Sequence, residues 1–211
     1  MRILAFSDLH CDLEACARIV AAAADADLVI GAGDFARAHQ GLEETLEALE
    51  PIAARAIYVP GNNETEAALR ASTGAVVLHG ETAEVAGVRI GGLGGAVPPM
   101  PHPGWQSFDI SEETAAELLE RIGAVDVLIS HSPPRDTVDM LGPEGLFGMH
   151  GAIGSEAVRA AVERTRPALV LCGHVHPSWG RRARIGASEI ANLGPTVNWF
   201  ETKAGEDNGQ D

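Results

Sequence analysis

The sequence is short of cysteine and of positive charge, and it has no long apolar run. Cys11, Cys16 and Cys172 are its only cysteines. An odd count without close metal-finger spacing argues against a disulfide framework and fits reduced thiols. Lys and Arg number 15 against 30 Asp and Glu, a formal net charge of −15. A field of that sign repels nucleic-acid backbones and anionic membrane surfaces, so a long nucleic acid is not the expected partner. Asp8 and His10 interrupt the run that starts at Ile3 before it could act as a secretory segment, and no stretch approaches the ~18 apolar residues of a membrane span. A cytoplasmic protein without membrane attachment is expected, and no signal of oligomeric state is readable. What is present suffices for a core: 45% of the 211 residues are hydrophobic and 21% charged, outside the range of disordered chains. The length suits one compact domain, read as 1–203, followed by an acidic tail over 204–211.

Short Val/Ile/Leu runs alternate with helical patterns, which predicts a layered α/β domain with parallel strand pairing. Ile3–Ser7, Leu28–Gly31 and Ile57–Pro60 read as buried strands that stop at a functional edge. Leu13, Ala17 and Val20, then Leu42, Leu46, Leu49 and Ala53, recur at helical spacing and predict two covering helices. Further strands are expected at Val76–Leu78, around Val85 and at Val88–Ile90, with a hairpin turn at Gly87. The Gly- and Pro-rich stretch from Gly91 to Phe108 reads as a long ordered loop that walls a site. Ser111 before Glu112 and Glu113 is a helix start, with the end near Gly123. Strands at Val125–Ile129 and Ala168–Leu171 flank a helix from about Ser155 to Arg164. Arg184–Ala191 and Val197–Phe200 complete a strand-rich end.

Oxygen and imidazole donors follow these apolar runs: Asp8 and His10, Asp34, Asn62, His131, then His174 and His176. Side chains at the carboxyl ends of neighbouring strands in an α/β sheet converge on one crevice. Carboxylate, amide and imidazole donors without thiolate suit Mn, Fe, Co or Zn ions and disfavour a closed structural zinc site. Seven donors exceed what one ion with an open position needs. Two ions sharing a carboxylate, ~3.5–4 Å apart, activate water and clamp the oxygens of an in-line displacement at phosphorus. Plainer readings exist for single residues: Asp34 as a turn residue, Asn62 as a helix cap, His174 and His176 as surface histidines. Their joint occurrence favours ligation.

Ser7-Asp8-Leu9-His10, Gly33-Asp34, Gly61-Asn62-Asn63-Glu64, Ser130-His131 and Gly173-His174-Val175-His176 occur in the order found in the calcineurin-like metallophosphoesterases, which the sequence resembles. Asn192-Leu193-Gly194-Pro195 resembles that family's closing strand segment. The resemblance implies a four-layer αββα sandwich of two mixed β-sheets flanked by helices, with the metals at one end of the sheets. It implies one ion held by Asp8, His10, Asp34 and His176 and a second by Asp34, Asn62, His131 and His174, with Asp34 bridging. The ions expected are Mn2+ or Fe, with Zn2+ or Co2+ also compatible, and a hydroxide shared between them would be the nucleophile.

The sequence departs from the family at Asn63, where many members carry His. An amide cannot act as a general acid at neutral pH, which tilts the expectation towards a small phosphodiester substrate. His150 and His102 are candidates to supply the missing function, against a plainer reading as loop hydrogen-bonding residues. Arg37 could offset phosphate charge or face solvent, Cys11 reads as a small packing residue near the metals, and Cys172 as core. The alternatives are a phosphomonoesterase of the same fold and a non-catalytic protein-binding scaffold, whose signature would be lost ligands.

Overall fold

The computed structural model describes residues 1–101, 104–146 and 148–202; His102 and the 204–211 tail lie outside the described residues. In chain order the elements are β1 (Arg2–Phe6), α1 (Leu13–Ala22), β2 (Leu28–Gly31), α2 (Leu42–Ala53), β3 (Ala56–Tyr58), α3 (Glu66–Ser72), β4 (Val76–Val77), β5 (Glu81–Val85), β6 (Val88–Leu93), α4 (Glu112–Ile122), β7 (Val127–Ser130), α5 (Glu156–Thr165), β8 (Leu169–Cys172), β9 (Arg182–Ile185), β10 (Ser188–Asn192) and β11 (Asn198–Glu201).

The strands form two mixed sheets, ordered β11-β1-β2-β3-β4 and β5-β6-β7-β8-β10-β9. The inner strands pair in parallel, while β11, β5 and β9 pair antiparallel at the edges. Alternation along each strand sorts side chains between two cores. In β1, Ile3 and Ala5 face the second sheet, where they meet Val127, Ile129, Leu169 and Leu171. Leu4 and Phe6 face the other way, onto Ile19 of α1 and Leu46 and Leu49 of α2. On the far side, Leu128 and Val170 meet Leu118 and Ile122 of α4 and Val158 and Val162 of α5. The layers are therefore helix, sheet, sheet, helix, as expected.

Local signals account for most boundaries. Ser111, Ser155, Thr65 and Asp12 each accept a backbone amide three residues on and start α4, α5, α3 and α1. Ala86 and Gly87, with φ of 50° and 78°, turn the β5–β6 hairpin.

Three expectations need correction. In α1 the buried stripe is Ala15, Cys16 and Ile19, and Leu13 is 41% exposed: two helical faces of similar apolarity competed, and the one carrying Ile19 reaches the sheet. Arg184–Ala191 is not one strand, because Gly186 at φ 57° reverses the chain between β9 and β10. Gly91 and Gly92 belong to β6 and not to the loop. A Cβ at Gly92 would lie 2.9 Å from Val59 Cγ1, so these glycines serve close packing inside the sheet. Among the described residues no helix is long and apolar enough to cross a membrane.

Candidate metal centre

Parallel strands β1, β2 and β3 of one sheet and β7 and β8 of the other end at the same edge of the sandwich, and the loops leaving them carry the expected donors. Backbone hydrogen bonds tie these loops together: Asp8 N–H donates to Gly33 O at 2.9 Å, His10 N–H to Asp34 O at 3.0 Å, and Gly173 N–H to His131 O at 3.0 Å. The resulting conformations are unusual. Asp8, His10, Asp34 and His174 have φ of 55°, 45°, 60° and 66°, a left-handed region that costs a non-glycine residue roughly 1 kcal/mol or more. Such outliers cluster where a loop is held for a purpose other than stability.

The donors fall into two groups. Ligand-type atoms of Asp8, His10, Asp34 and His176 lie within 4.8 Å of one another, as do those of Asp34, His131 and His174. Asp34 is common to both. Asn62 joins the second group, with Oδ1 3.0 Å from His174 Nδ1 and 3.2 Å from His131 Nε2. The structure brings together the seven residues marked as candidate donors in the sequence.

The donor set fits cations. His131 Nδ1 lies 2.8 Å from Ala32 O and His10 Nδ1 3.1 Å from Ala36 O. Each backbone carbonyl places the proton on Nδ1 and turns the Nε2 lone pair into the cluster, an arrangement typical of ligating histidines. Asn62 Nδ2 donates to Ser107 Oγ at 3.0 Å, so its Oδ1 also points inward. The His131 Nε2 lone pair then faces the lone pairs of Asn62 Oδ1 at 3.2 Å, an arrangement that only a proton or a metal ion between them satisfies, and His10 Nε2 lies 3.1 Å from His176 Nε2.

The titration behaviour has the same cause. Burial pushes the Asp34 carboxyl up, but His131, His10, His174 and the Asn63 amide outweigh it and bring it down to about 2. Burial lowers the His131 imidazole, and Asp34 and Asp8 reverse this, so its pKa is raised. Burial also lowers His176, helped by His10 and opposed by Asp8 and Asp34.

Residues around the donors hold them in place. Asp8 Oδ1 accepts from the His174 amide at 2.9 Å, and Oδ2 from Trp179 Nε1 at 3.1 Å and from Ser7 Oγ. Ser7 Oγ accepts in turn from Gly194 N–H at 2.9 Å, which joins the closing segment to the site. Trp179 also packs on the His176 ring at 4.3 Å. Glu64 is buried and accepts from Asp34 N–H at 2.9 Å, Gly61 N–H at 2.7 Å and Ala36 N–H at 3.0 Å, clipping the Asp34 loop to the Asn62 loop. Burial and the Asp34 charge push its carboxyl up to about 7.

Asn63 is not a free group in the cleft. Its Nδ2 donates to Asp34 Oδ2 at 2.8 Å and its Oδ1 accepts from Ala38 N–H at 2.8 Å, while its own N–H donates to Asp34 Oδ1 at 2.9 Å. It fixes the shared carboxylate. Helix α3 is capped by Thr65 and not by Asn62. His150 is exposed and lies against Gly145, which lines the cleft, and is not itself among the described lining residues. Arg37 is exposed on a turn closed by Gln40. Cys11 is half-buried, and Cys172 is fully buried.

Sequence reasoning did not single out Trp179, Ser107 or Asp109, and it noted Glu64 only as part of a motif. Glu64 carried a signal, a carboxylate set in a Gly/Asn loop between two donor-bearing segments. Ser107, which donates to Asp109 Oδ1 at 2.5 Å while accepting from Asn62, meets its partner only through loop closure over 45 residues.

A two-sheet αββα sandwich with a two-part donor cluster at its strand ends defines a class of dinuclear metal proteins. Residues 1–178 match the model of the calcineurin-like phosphoesterases, and the chain belongs to that family. It superposes on TT1561 of Thermus thermophilus with a TM-score of 0.69 at 18% identity, covering 94% of this chain and 97% of that one. An archaeal phosphodiesterase matches with a TM-score of 0.51 at 15% identity over 96% and 94% of the two chains. A dimetal phosphatase from Danio rerio matches with 0.54 at 12% identity over 92% and 88%. These likenesses are of fold. No curated protein matches the chain.

Proposed function

We propose that the protein hydrolyses a phosphodiester with two divalent ions, Mn2+ or Fe, held by Asp8, His10, Asp34 and His176 and by Asp34, Asn62, His131 and His174. The observation that carries the diester reading is the wall of the cleft. The donors open into a cavity of about 350 Å³, and no Lys or Arg stands among its described lining residues. Among the described lining residues other than the donors and Trp105, the one polar side chain is Asn63, whose amide is committed at both ends. A monoester dianion brings a second negative charge that this wall does not meet, and a poor leaving oxygen would find no acid at Asn63. A diester brings one charge. Relatives in fold include a protein described as a phosphodiesterase and one described as a phosphatase, so fold leaves the choice to the site.

Bound ions supply a water that is nucleophilic near neutral pH and a positive clamp on the phosphoryl oxygens. The chain's residues do the positioning. Asn63 and Glu64 hold Asp34 between the two donor groups, Ala32 and Ala36 set the tautomers of His131 and His10, and Ser107 keeps the Asn62 oxygen inward.

The test strips the purified protein with chelator, restores Mn2+, and compares bis(p-nitrophenyl) phosphate with p-nitrophenyl phosphate. Faster cleavage of the diester is expected. A faster monoester would overturn the diester reading, and hydrolysis of neither would return the scaffold alternative.

A further inference from the structure

Beside the donors the same cavity has an apolar side that the hydrolytic chemistry does not use. Met100 from the Pro-rich loop, Leu141 and Leu146 from the loop after β7, Ile153, and Val175 and Pro177 from the loop after β8 line it. Met100, Ile153 and Val175 pack together with Leu141 as a small apolar cluster separate from the three cores of the sandwich. The cluster's core members Met100, Ile153 and Val175 are buried, and beside them on the same cavity wall Leu146 is 39% exposed. Cavities that bind small molecules have this form, an apolar lining with a few convergent polar groups and a volume of ~300–1,000 Å³.

We propose that one ester substituent of the substrate is apolar, an alkyl or aryl group that lies on the Met100–Leu141–Leu146–Ile153–Val175–Pro177 wall while the phosphorus faces the donors. This deepens the phosphodiesterase reading and rests on it. The occupant follows from continuity: the wall and the donors line one cavity, so whatever places its phosphoryl group among the donors presents its substituent there. The described lining offers that substituent no charged side chain outside the donors, which disfavours sugars, polyphosphates and other polar substituents that need hydrogen-bond partners.

The primary test is calorimetric binding of methyl esters of methyl-, propyl- and hexylphosphonate, which lack the hydrolysable second ester, to the Mn2+-loaded protein. Burial of each methylene is worth about fourfold in affinity, so propyl, with two more methylenes, should exceed methyl by about fifteenfold, with a negative heat-capacity change. Leu146→Ser, at an exposed position, and Leu141→Asn should each flatten the series while the circular dichroism spectrum is kept. In parallel, p-nitrophenyl alkyl phosphates are scored for hydrolysis. A flat binding series with hydrolysis intact overturns the apolar-substituent proposal and leaves the phosphodiesterase. A graded series without hydrolysis of any ester keeps the apolar site and overturns the phosphodiesterase. A flat series with a concentration-dependent dimer that Leu146→Ser abolishes assigns the wall to a second copy of the chain and overturns the proposal.

Discussion

Gly33→Ala is expected to cost more stability than the same change at an open turn glycine such as Gly186, because it separates the loops that carry the donors. Gly33 has φ +91°, and a Cβ there would lie 2.6 Å from the Gly61 backbone and 2.7 Å from His131 Nδ1. Real Cβ atoms do not approach so closely, and neither neighbour is a flexible side-chain end. The backbone term for a left-handed residue is roughly 1–2 kcal/mol, and forcing an extra methyl into a packed site adds about 1–3 kcal/mol. Together they predict a loss of about 2–5 kcal/mol. Gly186→Ala separates the two terms, since Gly186 has φ +57° with nothing within 4 Å of the added methyl, so only the backbone term of roughly 1–2 kcal/mol applies. Urea denaturation of the metal-free proteins measures both, with a shift in midpoint at unchanged slope. Equal losses for the two variants, or a Gly33→Ala protein within about 1 kcal/mol of the parent, would refute the claim that the donor loops are locked by backbone contact.

Ser107→Ala removes the acceptor that holds the Asn62 amide, and partners of this kind are worth about 10–100-fold in metal affinity; titration against a competing chelator should show one of the two sites loosened by about tenfold and the other unchanged. His150→Ala should leave kcat/KM for bis(p-nitrophenyl) phosphate within about twofold of the parent, the range of an ordinary surface change; a loss of ~100-fold, the scale of a general acid, would show that this histidine does reach the reacting ester.

Much of the fold was legible because its signals are local. Val29 and Ile30, or Val127 to Ile129, are short apolar runs rich in β-branched residues that read as buried strands, and Ser111, Ser155 and Gly123 mark helix ends through caps that act within one turn. The donors were legible for a related reason: each follows a strand directly, so a single topological rule brings seven residues to one edge. What could not be read depends on contacts between distant loops. Which face of α1 is buried is decided by the sheet it meets. Asn63 looked like the loss of an acid, and only the 2.8 Å bonds to Asp34 and Ala38 show it as a clamp. Ser107 and Trp179 act across 45 and 171 residues, separations over which periodicity carries no information.

The most direct measurement is metal content. Chelator-stripped protein is reloaded with Mn2+, freed of excess and analysed for metal per chain, alongside Asp34→Asn. Because Asp34 stands in both donor groups, the account predicts about two ions in the parent and the loss of both in the variant, with the fold retained. A single ion in the parent, or two retained tightly after Asp34→Asn, would contradict a centre built around one shared carboxylate.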